Sequence, residues 1–402
     1  MKKHIIQQVT RRQFLGAVTV AAAGASAVAF GGCSSSGSSS AASSASSASS
    51  AASSSASASS ASASAAASGA RTVVDDLGRT VEIPAEINTA AGSGFGARAI
   101  VYAGAADKLV GVSETDKKVD VSVPYSMINA DLFNKLPAVC SGGMNNTVFE
   151  EEMVNLAPDV IVSTSGDAAA DDELQQKLGI PVVSVGMNDY DIFEENYYKS
   201  LAMLGEVFGT TEHTDAVIAA MKEWENDLAE RTANIADADK PTVYTGGISF
   251  RGPHGIEGTY GGYGPFDAIF AKNVVDETGT TGPFSVDMEQ ITAWNPDYIF
   301  LNPSNMMQVN EEFANDPAFF EALDAVKNGN VYSQPPYIAF GTNYELAVAD
   351  AYFVGKTIYP KQFEDVDVEK KADEIFEAVL GGPYVGIMKE NGVTFGPMKI
   401  GE

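Results

Sequence analysis

The chain has 402 residues, with 53 acidic and 25 basic side chains and a formal net charge of −28 at pH 7. Every acidic residue and all but four of the basic ones lie beyond residue 70. The body of the protein is therefore strongly anionic and lacks the dense basic clusters that phosphate neutralisation on nucleic acid requires. With three histidines, two cysteines and neither a Cys-x-x-Cys nor a His-Glu-x-x-His spacing, the composition argues against a zinc enzyme or a histidine-rich metal cage.

Residues 1–33 read as an export signal. Lys2 and Lys3 precede Thr10-Arg11-Arg12-Gln13-Phe14-Leu15, a string similar to the twin-arginine export signal. An Ala/Val/Gly-rich run then reaches Phe30-Gly31-Gly32-Cys33, where small residues before a cysteine resemble a lipoprotein cleavage box. Cys33 is the expected lipidation site, although Phe30 stands where such boxes usually carry Leu. An uncleaved anchor is the competing reading, but residues 13–32 are glycine-rich and short for the roughly 20 strongly apolar residues of a spanning helix. Residues 34–70 contain only Ser, Ala and Gly and read as a flexible tether with an r.m.s. reach of roughly 30–35 Å. Once Cys33 is lipidated, Cys140 is left alone and no intramolecular disulfide can form.

Residues 71–402 are too many for one simple core and suit two lobes. They open with a hairpin over 73–84, two alternating runs around an Asp/Gly turn. The glycine-rich segment 92–96 leads into an apolar helix through Ile100 and Tyr102, and Leu109–Val112 reads as a strand. A helix over 174–178 and a strand over 181–185 continue the alternation expected of parallel αβ layers. The stretch 191–238 breaks it with two long helical patterns. In the second, Val217, Met221, Trp224 and Leu228 fall on one stripe, which predicts packing and a stiff connector between lobes. The second lobe begins with a strand at 241–244 and an unusual Gly- and Tyr-rich loop over 245–266. A strand at 330–333, an aromatic loop over 334–344 and a closing helix over 365–380 follow. The expected boundaries are an export signal 1–33, a tether 34–70, an N-terminal lobe 71–190, a helical connector 191–238 and a C-terminal lobe 239–402.

One motif occurs twice: Glu151-Glu-Met153-Val-Asn-Leu156-Ala-Pro158-Asp159-Val-Ile161 and Glu289-Gln-Ile291-Thr-Ala-Trp294-Asn-Pro296-Asp297-Tyr-Ile299. The separation far exceeds the roughly 20–50 residues of a solenoid unit, so it points to two similar lobes. Each copy predicts a short helix with its third and sixth residues inward, a proline stop and a strand. A glutamate in a first helical turn commonly just complements the helix dipole, worth roughly 0.3–1 kcal/mol. The same residue at the same place in both lobes favours a shared task for Glu151 and Glu289.

Hairpin, paired glutamate motifs, helical connector and lipid tether together resemble the substrate-binding lipoproteins of ABC importers that carry ferric siderophores, haem and cobalamin. The hairpin residues Asp76, Gly78, Arg79 and Pro84 and the duplicated motif carry the resemblance, which covers essentially all of 71–402. It implies an α/β fold of two αβ lobes joined by a single long helix, with the ligand in the cleft between them. It also implies that Glu151 and Glu289 dock on arginines of a permease dimer served by an ATPase. The ligand it implies is a metal chelate or tetrapyrrole-type molecule, with a ferric siderophore first and haem or a corrinoid as alternatives. No cofactor is expected. The cleft loops would be 93–96, 141–146, 163–167, 249–266, 302–306 and 335–344, which makes Phe95, Arg251, His254, Tyr260, Tyr263, Tyr337 and Tyr344 candidate ligand contacts. Arg251 could bind an anionic chelate, and His254 could coordinate a metal within the ligand.

A secreted hydrolase is the competing class, with a surface adhesin or sensor behind it. Gly92-Ser93-Gly94-Phe95-Gly96 lacks the spacing of a dinucleotide loop, and Gly247-Ile-Ser249-Phe-Arg251 lacks the second glycine of a nucleophile elbow. A serine nucleophile would have to use His254 or His213, and His213 reads as a solvated residue at a polar helix start.

Overall fold

The structure, a computed structural model, describes residues 69–401 apart from 119, 144 and 188–191. The export signal, nearly all of the tether and Cys33 lie outside the described residues.

Strands β1 (Arg71–Val74) and β2 (Thr80–Ile83) form the antiparallel hairpin, with Val73, Val81 and Ile83 turned inward. Its turn is held by Asp75, which accepts from the backbone N–H of Leu77 and Arg79 and pairs with the Arg79 guanidinium at 2.9 Å. The same carboxylate accepts from Ser184 N at 3.1 Å and so fixes the hairpin to the first sheet. Asp76, the aspartate singled out from the sequence, instead accepts from Gly186 N and from the Ser200 hydroxyl.

The first sheet contains β3 (Ala90–Ser93), β4 (Leu109–Ser113), β5 (Ala138–Cys140), β6 (Val160–Ser163) and β7 (Val182–Ser184), all parallel, in the order β5-β4-β3-β6-β7. Its central strands are buried on both faces, as parallel strands covered by helices must be. The second lobe contributes β8 (Thr242–Gly246), β9 (Gly258–Gly261), β10 (Lys272–Asn273), β11 (Gly282–Ser285), β12 (Tyr298–Leu301), β13 (Val331–Ser333) and β14 (Gly396–Pro397). Its sheet runs β10-β8-β12-β13-β14 with only β14 antiparallel, while β9 and β11 pair as a separate ribbon. In each sheet the first strand, β3 or β8, lies between strands reached by connections in opposite directions. Open αβ sheets hold ligands beyond the carboxyl ends of their strands, at such a switch point.

The connector is a helical pair. Glu195–Phe208 packs along Thr211–Thr232, with Gly209 in the left-handed region (φ 70°) between them. Gly205 is needed for the approach, because a Cβ there would lie 2.1 Å from Thr214 Oγ1. The first helix stays with the N-terminal lobe, against β1 and the helix Gly96–Tyr102. The second, about 33 Å long at 1.5 Å per residue, is the single long helix between lobes, with Val217, Met221, Trp224 and Leu228 buried along one stripe. His213 is not the solvated residue its sequence context suggested. Its ring lies half-buried over Gly104, with Nε2 3.2 Å from the Tyr102 carbonyl.

Beyond β13 the chain crosses back. The helix Tyr344–Ile358, buried almost throughout, packs on Thr211–Thr232, and Val368–Leu380 lies against Gly96–Tyr102 and Pro124–Ile128 of the first lobe. Residues 239–402 thus build the second sheet and then cover helices of the first lobe.

Candidate functional site

Both copies of the motif fold alike. The helices Glu150–Leu156 and Met288–Trp294 bury Met153 and Ile291 completely. Each ends on a non-glycine residue in the left-handed region, Ala157 (φ 45°, ψ 58°) and Asn295 (φ 43°, ψ 63°). A proline, an aspartate and then β6 or β12 follow. A helix joined to its strand by so tight a turn runs back along it, which puts its first turn near the carboxyl edge of the sheet. Glu151 and Glu289 are exposed in those first turns and make no ion pair among the described residues. Neighbouring Glu150, by contrast, pairs with Lys177 at 2.6 Å.

The loop after β8 carries the two polar candidates. Arg251 is exposed, in the left-handed region at φ 54°, and free of ion pairs among the described residues. The His254 ring stacks on Phe250 (centroids 3.9 Å apart, planes within 9°). Its Nδ1 lies 3.1 Å from Glu257 Oε1 and its Nε2 3.0 Å from the Phe250 carbonyl. Both ring nitrogens are thus engaged inside the loop, and coordination of a ligand metal would require one contact to break. Behind the loop, Glu312 accepts from Ile256 N at 2.7 Å. Burial pushes its carboxyl up to about 7, partly opposed by the Ile256 N–H and reinforced by Glu257. Gly255 faces Glu312, where a Cβ would lie 2.0 Å from Oε1.

The aromatic candidates sit deeper than open cleft walls. Tyr260, Tyr263, Tyr337 and Tyr344 are buried in the main core, and Phe95 nearly so. Tyr263 meets Tyr260, Phe266 and Tyr337 edge-on, and Tyr344 stacks on Tyr197 of the connector at 4.0 Å. A ligand would reach these rings only after the surrounding chain moved. Two carboxyls accompany them on the helix Tyr344–Ile358. Burial pushes Glu345 up to about 7 although the Tyr102 hydroxyl donates to it at 2.6 Å, and burial alone raises Asp350.

The residue missed from sequence is Arg98, which follows β3 at the switch point and is only 2 % exposed. Its guanidinium lies over the rings of Phe95 (5.4 Å) and Tyr125 (4.8 Å). A single charge in the otherwise apolar run 97–105 was the available signal. Tyr125 donates in turn to Asp116, whose carboxyl is raised by burial and partly restored by Tyr125, Ser113 and the Arg98 charge. Among the described residues no group of three or more His, Cys, Asp or Glu is placed to hold a metal ion, and no helix is long and apolar enough to cross a membrane.

Two αβ lobes, each built on a largely parallel sheet and joined by one long helix, form the architecture of a two-lobed solute-binding protein. Residues 90–338 match the periplasmic binding protein family, and the chain belongs to it. It is an extracytoplasmic substrate-binding protein of the ABC-importer type. Over 338 residues it is 25 % identical to the molybdate-binding protein MolA of Haemophilus influenzae, covering 78 % of this chain and 92 % of MolA. The molybdate-bound MolA structure matches with a TM-score of 0.60 at 23 % identity, over 78 % of this chain and 99 % of MolA. An uncharacterised ABC transporter substrate-binding lipoprotein of Bacillus subtilis, YvrC, is 28 % identical over 275 residues, 66 % of this chain and 78 % of YvrC. A periplasmic solute binding protein from Veillonella parvula gives a TM-score of 0.62 at 22 % identity, over 78 % of this chain and 94 % of the other.

Proposed function

We propose that this protein, held at the membrane through lipid on Cys33, captures an anionic metal chelate of the ferric-siderophore type and delivers it to a permease dimer that docks on Glu151 and Glu289. The observation that carries the ligand class is Arg251. In so acidic a chain, an exposed guanidinium without an ion pair among the described residues stands on the loop that follows the carboxyl end of β8. A planar guanidinium can hold a carboxylate, catecholate or hydroxamate oxygen with two hydrogen bonds. The docking role rests on the matched first-turn positions of the two glutamates, one in each lobe, both exposed and without an ion pair among the described residues.

A second reading is capture of a small oxyanion of the molybdate type. It is favoured by the likeness to MolA and by the burial of the four tyrosines, which leaves fewer flat faces for a large ligand. Native mass spectrometry and calorimetry against ferric siderophores, haem, corrinoids and molybdate separate the readings. A saturable submicromolar ferric siderophore is expected. Molybdate binding alone would replace the first reading by the second, haem or corrinoid binding would redirect the ligand class, and turnover of generic esters would place the protein among hydrolases.

A further inference from the structure

The segment 334–343, which carries the chain from β13 of the second sheet to the helix Tyr344–Ile358, is fixed to the first lobe through Arg98 and Asn343. Arg98 Nη1 donates to the Thr342 carbonyl at 3.2 Å, and Nη2 to those of Ala339 at 3.1 Å and Phe340 at 2.6 Å. The contact is reciprocal, because Asn343 Nδ2 donates to Ser122 O of the first lobe at 3.2 Å and to Tyr337 O and Ala339 O of its own segment. Between the two, residues 338–342 close into a tight loop, with an Ile338–Thr342 bridge, Gly341 at φ 94° and Phe340 in the left-handed region at φ 50°. Phe340 is exposed and carries a side chain that disfavours that conformation, so the surrounding contacts must hold it there.

We propose that Arg98 is a cross-lobe clasp: it fastens the strap 334–343, which leaves the second sheet, to the first lobe. Packing alone does not call for a guanidinium here. A buried charge costs desolvation free energy that an apolar residue of similar volume would avoid. What the fork supplies is simultaneous capture of three carbonyls of one loop, oriented by the Phe95 and Tyr125 rings. Arg98 makes no ion pair among the described residues; its charge partly opposes the rise that burial imposes on Asp116, bonded by Tyr125, and on Glu345, bonded by Tyr102. A clasp of hydrogen bonds to backbone can open and re-form as a unit, whereas an interdigitated apolar seam cannot do so without exposing its whole area.

Hydrogen exchange followed by mass spectrometry on the full chain, without any solute, tests the clasp independently of what the protein carries. Arg98→Gln and Asn343→Ala are expected to speed exchange of amides 338–343 and of the segment around Ser122 by tenfold or more. Arg98→Lys should fall between these and the wild type, because it keeps the charge and loses the fork. Chymotryptic cleavage after Phe340 should rise in the same order, while the amides of β3 and β6 stay protected. If Arg98→Gln does not fold, Arg98→Lys and Asn343→Ala carry the test. Unchanged exchange of the strap in both, or a uniform rise over both lobes, would overturn the proposal.

Discussion

Asp159 and Asp297 each bond, through carboxylate and backbone N–H, to a threonine at the start of the neighbouring strand in their own lobe. Asp159 Oδ2 accepts from Asn88 N and Thr89 N at 2.8 and 2.9 Å, and its own N–H donates to Thr89 Oγ1 at 3.1 Å. Asp297 Oδ2 accepts from Thr242 N and Thr242 Oγ1, both at 2.8 Å, and its N–H donates to Thr242 Oγ1 at 3.0 Å. Each aspartate thus ties the start of its own strand, β6 or β12, to the start of the central strand beside it. Proline and aspartate of the repeated motif are accounted for inside each lobe, and its glutamate is not.

Asp159→Ala should therefore cost about 1 kcal/mol, the usual net worth of such bonds, and lower the melting temperature by roughly 2–4 °C. Asp297→Ala should do the same to a smaller extent, since it is more exposed. Because they act on separate sheets, the double variant should be additive in denaturant titrations. Strong non-additivity would show that the two anchors communicate.

The glutamates should behave in the opposite way. Glu151→Ala and Glu289→Ala should leave melting temperature and solute affinity nearly unchanged, because exposed single charges contribute little to stability. Reconstituted transport and ATPase stimulation should fall, most steeply in the double variant, where partner arginines are left unpaired across the forming interface. Transport at the wild-type rate in the double variant would return both residues to simple complements of their helix dipoles.

The layers, the hairpin and the repeated motif were legible because each is written locally, in residue alternation, turn chemistry and a proline stop. The long helix showed itself through the stripe Val217–Met221–Trp224–Leu228. The Arg98 clasp was not legible, since its acceptors are backbone carbonyls more than two hundred positions away and leave no mark in side-chain identity. The burial of the loop tyrosines was not legible for a related reason. Gly- and Pro-rich surroundings read as open loop, yet the return of the chain through Tyr344–Ile358 folds Tyr263 and Tyr337 inward against one another.

Stability should depend on pH through Glu312 and Glu345, both raised to about 7 in the folded protein, chiefly by burial. A carboxyl raised on folding binds its proton more tightly in the native state. Its contribution is therefore complete below the unfolded value near 4.5 and is lost as the pH rises through about 7. Glu345→Gln and Glu312→Gln should each flatten the fall of melting temperature across that window. For Glu312 the effect should extend to the loop after β8, whose Ile256 N–H it holds. A pH profile identical to wild type in both variants would contradict this assignment.

Arg251 and His254 separate contact from scaffold within one loop. Arg251 is exposed and engages no charge among the described residues, so Arg251→Ala should weaken solute binding with no loss of melting temperature. Loss of one charge-assisted pair corresponds to about 1.5–3 kcal/mol, or roughly a tenfold to hundredfold rise in Kd. His254 is stacked and bonded through both nitrogens, so His254→Ala should also weaken binding, but by loosening the loop. Its signature should be faster amide exchange over 249–258 before any solute is added, with His254→Gln restoring part of the protection. If instead His254→Ala weakens binding only of metal-loaded chelate and leaves exchange unchanged, the imidazole itself reaches the metal. Unchanged affinity in both variants would move the binding site away from this loop.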